Sequence, residues 1–213
     1  LRVLDLTRIL SGPFASMVLA DLGGDVIKIE DTRGGDDTRR WGPPFQGDDA
    51  AYFHAINRNK RSLAVDLKTE VGLELVRRLA TSADVVLENF RPGTAERLGL
   101  GYPQLSQRNP RIVYGSVSGF GQTGPDSQRA GYDAIAQAMS GVMGITGPAG
   151  GEPVRFGVAG ADLGAGMWAT IGVLAALRRR ACGAWELGGA RFARPDWSMV
   201  AGFFRTACRS GDR

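Results

Sequence analysis

"VLDLTRILSGPFASMVLADLGGDVIKIE", residues 3–30, decides how the chain reads as a fold. A mostly apolar run, "LRVLDL" (1–6), leads into a polar turn and then Pro13, whose missing N–H suits the first turn of a helix. "FASMVLADL" (14–22) fits that helix, and Gly23 and Gly24 close it, because glycine enters the left-handed conformation at a helix end without steric cost. "DVIKIE" (25–30) then reads as a strand. Strand, helix and strand within 30 residues form the βαβ unit of a parallel sheet.

Outward from this unit the alternation continues. "RSLAVDL" (61–67), "ADVVLENF" (83–90) and "RIVYGSVSG" (111–119) read as further strands. Thr69 can cap a helix through Ala80, with Val71, Leu75, Val76 and Leu79 expected on its inner face. Helices are expected around Tyr132–Met139 and over Asp162–Arg178. The stretch from Asp31 to Asn59 reads as a long surface loop, too irregular for an element and too charged to be buried, with His54 as a loop residue. The predicted fold class is α/β, a doubly wound, mainly parallel sheet with flanking helices over residues 1–177. Residues 178–213 have no sustained period and all their basic groups are Arg, so no structure is assigned to them.

Composition bounds the function. With 213 residues and 43% hydrophobic content, the chain can bury one good-sized core. Asp, Gly or Arg interrupts the apolar stretches before the roughly 20 residues of a membrane span, and no signal pattern opens the chain. No membrane association is expected. The expected compartment is cytoplasmic, or mitochondrial if the source is eukaryotic and a targeting peptide precedes Leu1. Cys182 and Cys208 have neither metal nor redox spacing and read as incidental. The formal charge of +4 comes from the 178–213 segment, where 8 Arg face Glu186, Asp196 and Asp212. The remaining residues carry 18 basic and 19 acidic groups, which gives no support to a nucleic-acid surface on the body of the chain.

Several motifs have competing readings. "GFGQTG" (119–124) fits G-x-G-x-x-G after a strand, but Pro125 and "DSQRAG" occupy the place of the helix and no acid lies about 20 residues on, so a flexible glycine loop is favoured. Serine hydrolysis is disfavoured, since His54 is the one histidine and G-x-S-x-G is absent. No acid or His/Cys cluster has metal-ligand spacing. Asn57, Arg58, Asn59, Lys60 and Arg61, with Lys68 beyond the strand, make either a phosphate site or a solvated charged loop. Asp162 heads an otherwise apolar helix beside Gly157, Gly160, Gly164 and Gly166. It is either a helix cap or a nucleophile toward activated acyl carbon in a glycine-lined recess.

These motifs together resemble the class III CoA-transferases, the family of the formyl-CoA:oxalate and carnitine enzymes. The resemblance is carried by "VLDLTRILSGPFASMVLADLGGDVIKIE", "NRNKRS", "VLENFRPG", "GYDAIAQAMSG" and "GVAGADLGAGM", and runs from Leu1 to about Leu177. "GDDTRRWGPPF" and "GQTGPDSQRAGYDA" are most similar to the branch acting on dicarboxylates, that of succinate–hydroxymethylglutarate CoA-transferase.

The resemblance implies that Asp162 is the catalytic nucleophile. It also implies that coenzyme A, a co-substrate rather than a tightly bound cofactor, meets Leu10, Ser11, Val65, Asp66, Leu67, Lys68, Asn89, Phe90, Arg91, Arg97, Ala130, Gly131, Tyr132 and Asp133. The implied partners are acyl-CoA and carboxylic acid substrates and a second copy of the chain. Leu10 stands where the family has a polar residue, and Asp31 where some members have arginine. Family members are about twice this length, so 178–213 reads as a divergent tail after a truncation. The alternatives are an inactive CoA-binding fragment and an acyl-CoA racemase relative; the latter would need a histidine and acid pair that His54 does not supply.

Overall fold

The computed structural model describes residues 1–182 and the pair 191–192. In chain order the elements are β1 (Arg2–Asp5), α1 (Ser11–Asp21), β2 (Asp25–Glu30), β3 (Phe45–Gln46), β4 (Asp49–Ala50), α2 (Ala51–Asn57), β5 (Lys60–Ala64) and α3 (Glu70–Ser82). There follow β6 (Val85–Glu88), α4 (Thr94–Arg97), α5 (Tyr102–Arg108), β7 (Val113–Ser116), α6 (Asp133–Met139), α7 (Gly160–Ala181) and β8 (Arg191–Phe192). The main sheet has the order β5-β2-β1-β6-β7-β8, and every pairing in it is parallel. Leu4 pairs with Ile27 on one side and Val86 on the other, and Val86 with Tyr114.

Strand periodicity splits the core into two layers. Leu4, Leu6, Val86, Ile112 and Tyr114 pack with Val76, Ala80 and Leu105 beneath α3 and α5. Val3, Val26, Val85, Leu87 and Val113 face the other way onto Ala15, Leu19, Val173 and Ala176 of α1 and α7. The sheet is buried on both faces, as the βαβ reading requires. At Gly166 a Cβ would lie 2.6 Å from Ser11 O and 2.9 Å from Phe14 Cδ1, so glycine there lets α7 lie directly on α1.

The structure corrects several expectations. Helix α1 begins at Ser11, three residues before the apolar run 14–22, and takes Pro13 into its first turn. The expected loop of 31–59 contains a 3-10 turn at Asp37–Arg40, the β3–β4 hairpin and α2, and His54 is an exposed residue of α2. Its charges are not all at the surface. Asp36 is 2% exposed and ion-pairs with Lys28 at 2.9 Å. Arg39 joins Glu30 at 2.7 Å and Asp49 at 2.6 Å while its guanidinium covers the Phe53 ring. Charged residues enter a protein interior when each finds a partner, and composition alone does not show the partner.

Thr69 does cap α3, accepting a hydrogen bond from Gly72 N at 3.1 Å, but the inner face is rotated from the expected one. A Cβ on Gly72 would stand 2.1 Å from Asp66 O. The stripe Gly72, Val76, Ala80 therefore faces inward and leaves Val71 83% exposed. Helix α7 is long and apolar enough, by length and composition, to cross a membrane, contrary to the reading that Gly and Asp interrupt it too soon. In this fold it buries Gly166, Thr170, Val173 and Ala176 and turns Met167, Trp168, Ile171 and Leu174 outward. Beyond Cys182, only β8 of the 178–213 segment is described, and it extends the sheet beside β7; Cys208 lies outside the described residues.

Candidate active site

The chain runs β1, β2, β5 along one half of the sheet and returns to place β6 on the other side of β1. The carboxyl ends of β1 and β6 thus diverge into loops of opposite direction, and ligands of open α/β sheets bind at such a point. Here the two loops are fastened to each other. The Asn89 side chain accepts from Arg8 N at 2.8 Å and donates to Arg8 O at 2.7 Å. Between Arg8 and α1 the backbone passes through Ile9 at φ 72°, a left-handed conformation costly for a β-branched residue. Buried partners hold it there: Thr7 N donates to Asp5, Lys28 Nζ donates to Thr7 O at 2.7 Å, and Asp36 Oδ1 faces Ile9 N at 3.4 Å.

Above this turn lie two adjoining cavities. One, of about 310 Å³, is lined by Arg8, Ile9, Leu10, Ser11, Asn89, Phe90, Arg91, Arg129 and Tyr132, among others. The other, of about 120 Å³, is lined by Ser118, Gly119, Gly131, Asp133, Ala161 and Ala165, among others. Asp162 lines both. Gly119 and Gly131 form a close backbone crossing in the wall, where a Cβ on Gly119 would stand 2.4 Å from Gly131 Cα. The recess owes its shape to these two glycines. Gly157 and Gly164, expected to frame it, have open space around their would-be Cβ positions, and Gly166 serves helix packing.

Asp162 is half-buried in the first turn of α7, and its carboxylate does not cap the helix. That function is performed from outside by Asp133 of α6, whose Oδ1 accepts from Ala161 N at 2.9 Å. Among the described residues no donor hydrogen-bonds the Asp162 carboxylate. Burial, and then the negative charge of Asp133, push its pKa up to about 6. A carboxylate that is ionised near neutral pH, poorly solvated and exposed to a cavity is chemically a nucleophile in waiting. The phenol of Tyr52 stands close enough for the charge of Asp162 to raise its pKa, after burial.

The model for CoA-transferase family III matches residues 1–184. The chain belongs to this family. It is 54% identical over 179 residues to the succinyl-CoA:glutarate CoA-transferase of Mus musculus, an alignment covering 84% of this chain and 41% of the mouse protein. The succinate–glutarate CoA-transferase of Agrobacterium fabrum is 52% identical over 183 residues, covering 83% and 46%. A crystal structure of a CaiB/BaiF family protein from Brucella suis superposes with a TM-score of 0.90 at 45% identity, covering 99% of this chain and 56% of that one. The chain thus spans less than half the length of these two curated relatives.

On this family III CoA-transferase scaffold, Leu10, Ser11, Asn89, Phe90, Arg91, Ala130, Gly131, Tyr132, Asp133 and Asp162 come together around the two cavities. Val65, Asp66, Leu67, Lys68 and Arg97 do not line them. Val65 is buried in the core with Leu67 packed against the same cluster, and Arg97 donates to Thr94 within α4. The alternative phosphate site at 57–61 is not assembled. Arg58 and Asn59 bond to Asp21, Arg61 pairs with Asp25, and Lys60 is buried against Asp5 at 3.2 Å. Sequence reading did not single out Arg8, Ile9, Ser118 or Arg129 as site residues. No local pattern marks them, because a sheet-edge turn and two distant loops supply them.

Beneath the site, Glu88 is 3% exposed at the end of β6, accepting from Phe90 N at 2.8 Å and from the Ser116 hydroxyl. Burial raises its pKa to about 7 against the pull of those hydrogen bonds. Since the folded value lies above the unfolded one, the folded state binds the extra proton, and stability falls as pH rises from 4.5 to 7. The expected loss over that window is about 3 kcal/mol. Glu88→Gln keeps the shape and should flatten this part of a urea-unfolding profile against pH; an unchanged slope would show Glu88 to be ionised throughout.

Proposed function

We propose that the chain is the part of a CoA-transferase that carries the nucleophile and the CoA-facing turn. In this reading the enzyme moves CoA from an acyl-CoA, succinyl-CoA in the first instance, to a dicarboxylic acid. The observation carrying it is the Asp162 carboxylate, free of hydrogen bonds from the described residues and open to both cavities. An Asp162 oxygen attacks the thioester carbonyl; the C–S bond breaks, leaving a mixed anhydride and CoA thiolate. The thiolate attacks the aspartyl carbonyl, releasing the first acid and forming an aspartyl-CoA thioester. The acceptor carboxylate attacks that thioester and expels the thiolate, which attacks the acceptor's acyl carbon and restores Asp162. Each proton-free exchange needs no base, in keeping with a site without histidine.

Electrostatics support the substrate class. Arg8, Arg91 and Arg129 rim the larger cavity, and Arg91 has no acidic partner among the described residues, so phosphate and carboxylate groups meet cations there. The expected family dimer fits the outward apolar face of α7. The relatives named above act with succinyl-CoA or succinate and glutarate, and this supports a dicarboxylate acceptor. Incubation with succinyl-CoA and hydroxylamine, followed by peptide mass spectrometry, should yield the hydroxamate of Asp162. Labelling should be half-maximal near pH 6 and fall as pH drops, because only the ionised form attacks. Modification of another residue instead would overturn the assignment.

A further inference from the structure

We propose that Asp133 and Gln137 of α6 form a clamp that positions Asp162 by holding the backbone on which it is carried. The catalytic meaning of this clamp rests on the nucleophile reading above. Four residues apart, the two side chains share one face of α6. Asp133 Oδ1 accepts from Ala161 N at 2.9 Å and lies 3.5 Å from Asp162 N, while Oδ2 accepts from Gln137 Nε2 at 2.6 Å. Gln137 is 3% exposed, the one buried residue of α6. Its Oε1 accepts from Phe156 N at 2.9 Å, and its Nε2 reaches Val158 O at 3.2 Å.

The chain between residues 151 and 159 has no helix or strand to hold it, and Ala159 offers α7 no side-chain cap. Val154 N donates to Met143 O at 3.0 Å earlier in the segment, and from Phe156 to Ala161 a single amide and a single carboxylate of α6 secure the approach to Asp162. Both Asp133 oxygens are engaged in this way. Asp133 also lines the smaller cavity, and here its side chain acts as a positioning residue.

The clamp also sets the local charge. Groups facing Asp162 are Asp133 from α6, Tyr52 from α2, and, around the larger cavity, Arg8, Asp37, Arg91 and Arg129. Asp133 is the like charge whose effect on Asp162 is resolved, so removing it has a predictable sign.

Two variants separate the parts. Asp133→Asn removes the charge and keeps an oxygen for Ala161 N, but sets an NH2 in place of the Oδ2 that accepts from Gln137 Nε2; Gln137→Met keeps the approximate length and deletes the tethers. Carbon-13 NMR of side-chain carboxylates, assigned with Asp162→Asn, reads the titration of Asp162, and amide hydrogen exchange reads Ala161 and Asp162, both on the chain as it stands. Asp133→Asn should lower the Asp162 midpoint, and through the lost bond to Gln137 it should speed exchange at Ala161 and Asp162 less than Gln137→Met does. Gln137→Met should speed exchange at Ala161 and Asp162 about tenfold, the equivalent of one lost hydrogen bond.

In the complete protein, Gln137→Met should lower kcat while leaving KM for acyl-CoA unchanged. Unchanged exchange in a Gln137→Met protein that melts like wild type would overturn the clamp. If Gln137→Met does not fold, Asp133→Ala, which removes the acceptor of Ala161 N, should speed exchange at Ala161 about tenfold, and unchanged exchange there overturns the clamp. Absence of Asp162 labelling in the wild type, with these shifts present, counts against the nucleophile and supports the clamp.

Discussion

On the nucleophile reading, Asp162→Asn in a protein of the relatives' full length is expected to lower CoA transfer by about four orders of magnitude or more, the scale of losing a covalent nucleophile. The substitution is sterically neutral. It removes no hydrogen bond, since the Asp162 carboxylate makes none with the described residues, and the α7 cap belongs to Asp133. An amide nitrogen or oxygen does not displace a thiolate from a thioester at a useful rate, so the acyl group stays on CoA. Binding of CoA should survive, because Arg8, Arg91 and Arg129, which rim the larger cavity, are untouched. Steady-state transfer and calorimetric CoA binding, measured side by side, check this. Transfer within tenfold of wild type would mean that the acyl group never rests on Asp162.

The second large effect is on stability. Asp5→Leu is expected to cost about 3–5 kcal/mol in urea unfolding, the range for removing one partner of a buried ion pair. Asp5 is wholly buried and receives Thr7 N, the Thr7 hydroxyl, Ser16 Oγ and Lys60 Nζ. Burial pushes its pKa up, but Lys60, Lys28 and the Ser16 and Thr7 hydrogen bonds outweigh that and hold it below 3.8. A depressed carboxylate stabilises the fold above its unfolded pKa, and the contribution is lost as pH falls through the lower folded value. Leucine would leave Lys60 with an exposure of 2% and no carboxylate beside it. Since small domains hold only about 5–15 kcal/mol, this is a large fraction. A cost under about 1 kcal/mol would show that Asn57 Oδ1 and Pro13 O, which already accept from Lys60 Nζ, suffice without Asp5.

The same network explains what was hard to read. Lys28 in "DVIKIE" and Asp36 in "GGDDTRR" look like surface charges, yet Lys28 has the largest of the fully buried side chains. Their purpose is visible only once β1, β2 and the 31–37 segment converge beneath the Ile9 turn. Similarly "NRNKRS" reads as a cationic loop, but each cation in it answers an acid from β1, β2 or α1. The Asp162 recess was anticipated with the wrong glycines. Local spacing pointed to its neighbours in sequence, whereas the wall is made by Gly119 and Gly131 from loops before α6.

Alternation of apolar runs with helical periods, punctuated by Gly23, Gly24 and Thr69, determined the parallel sheet and its flanking helices, because backbone geometry and burial act over a few residues at a time. The family motifs placed Asp162 at the head of its helix for the same reason. Which charges are buried, which face of α3 turns inward, and which side chains surround Asp162 were decided by the tertiary structure. Pairing energies and steric contacts between distant segments depend on the return of the chain to the β1–β6 divide, and no local pattern encodes that meeting.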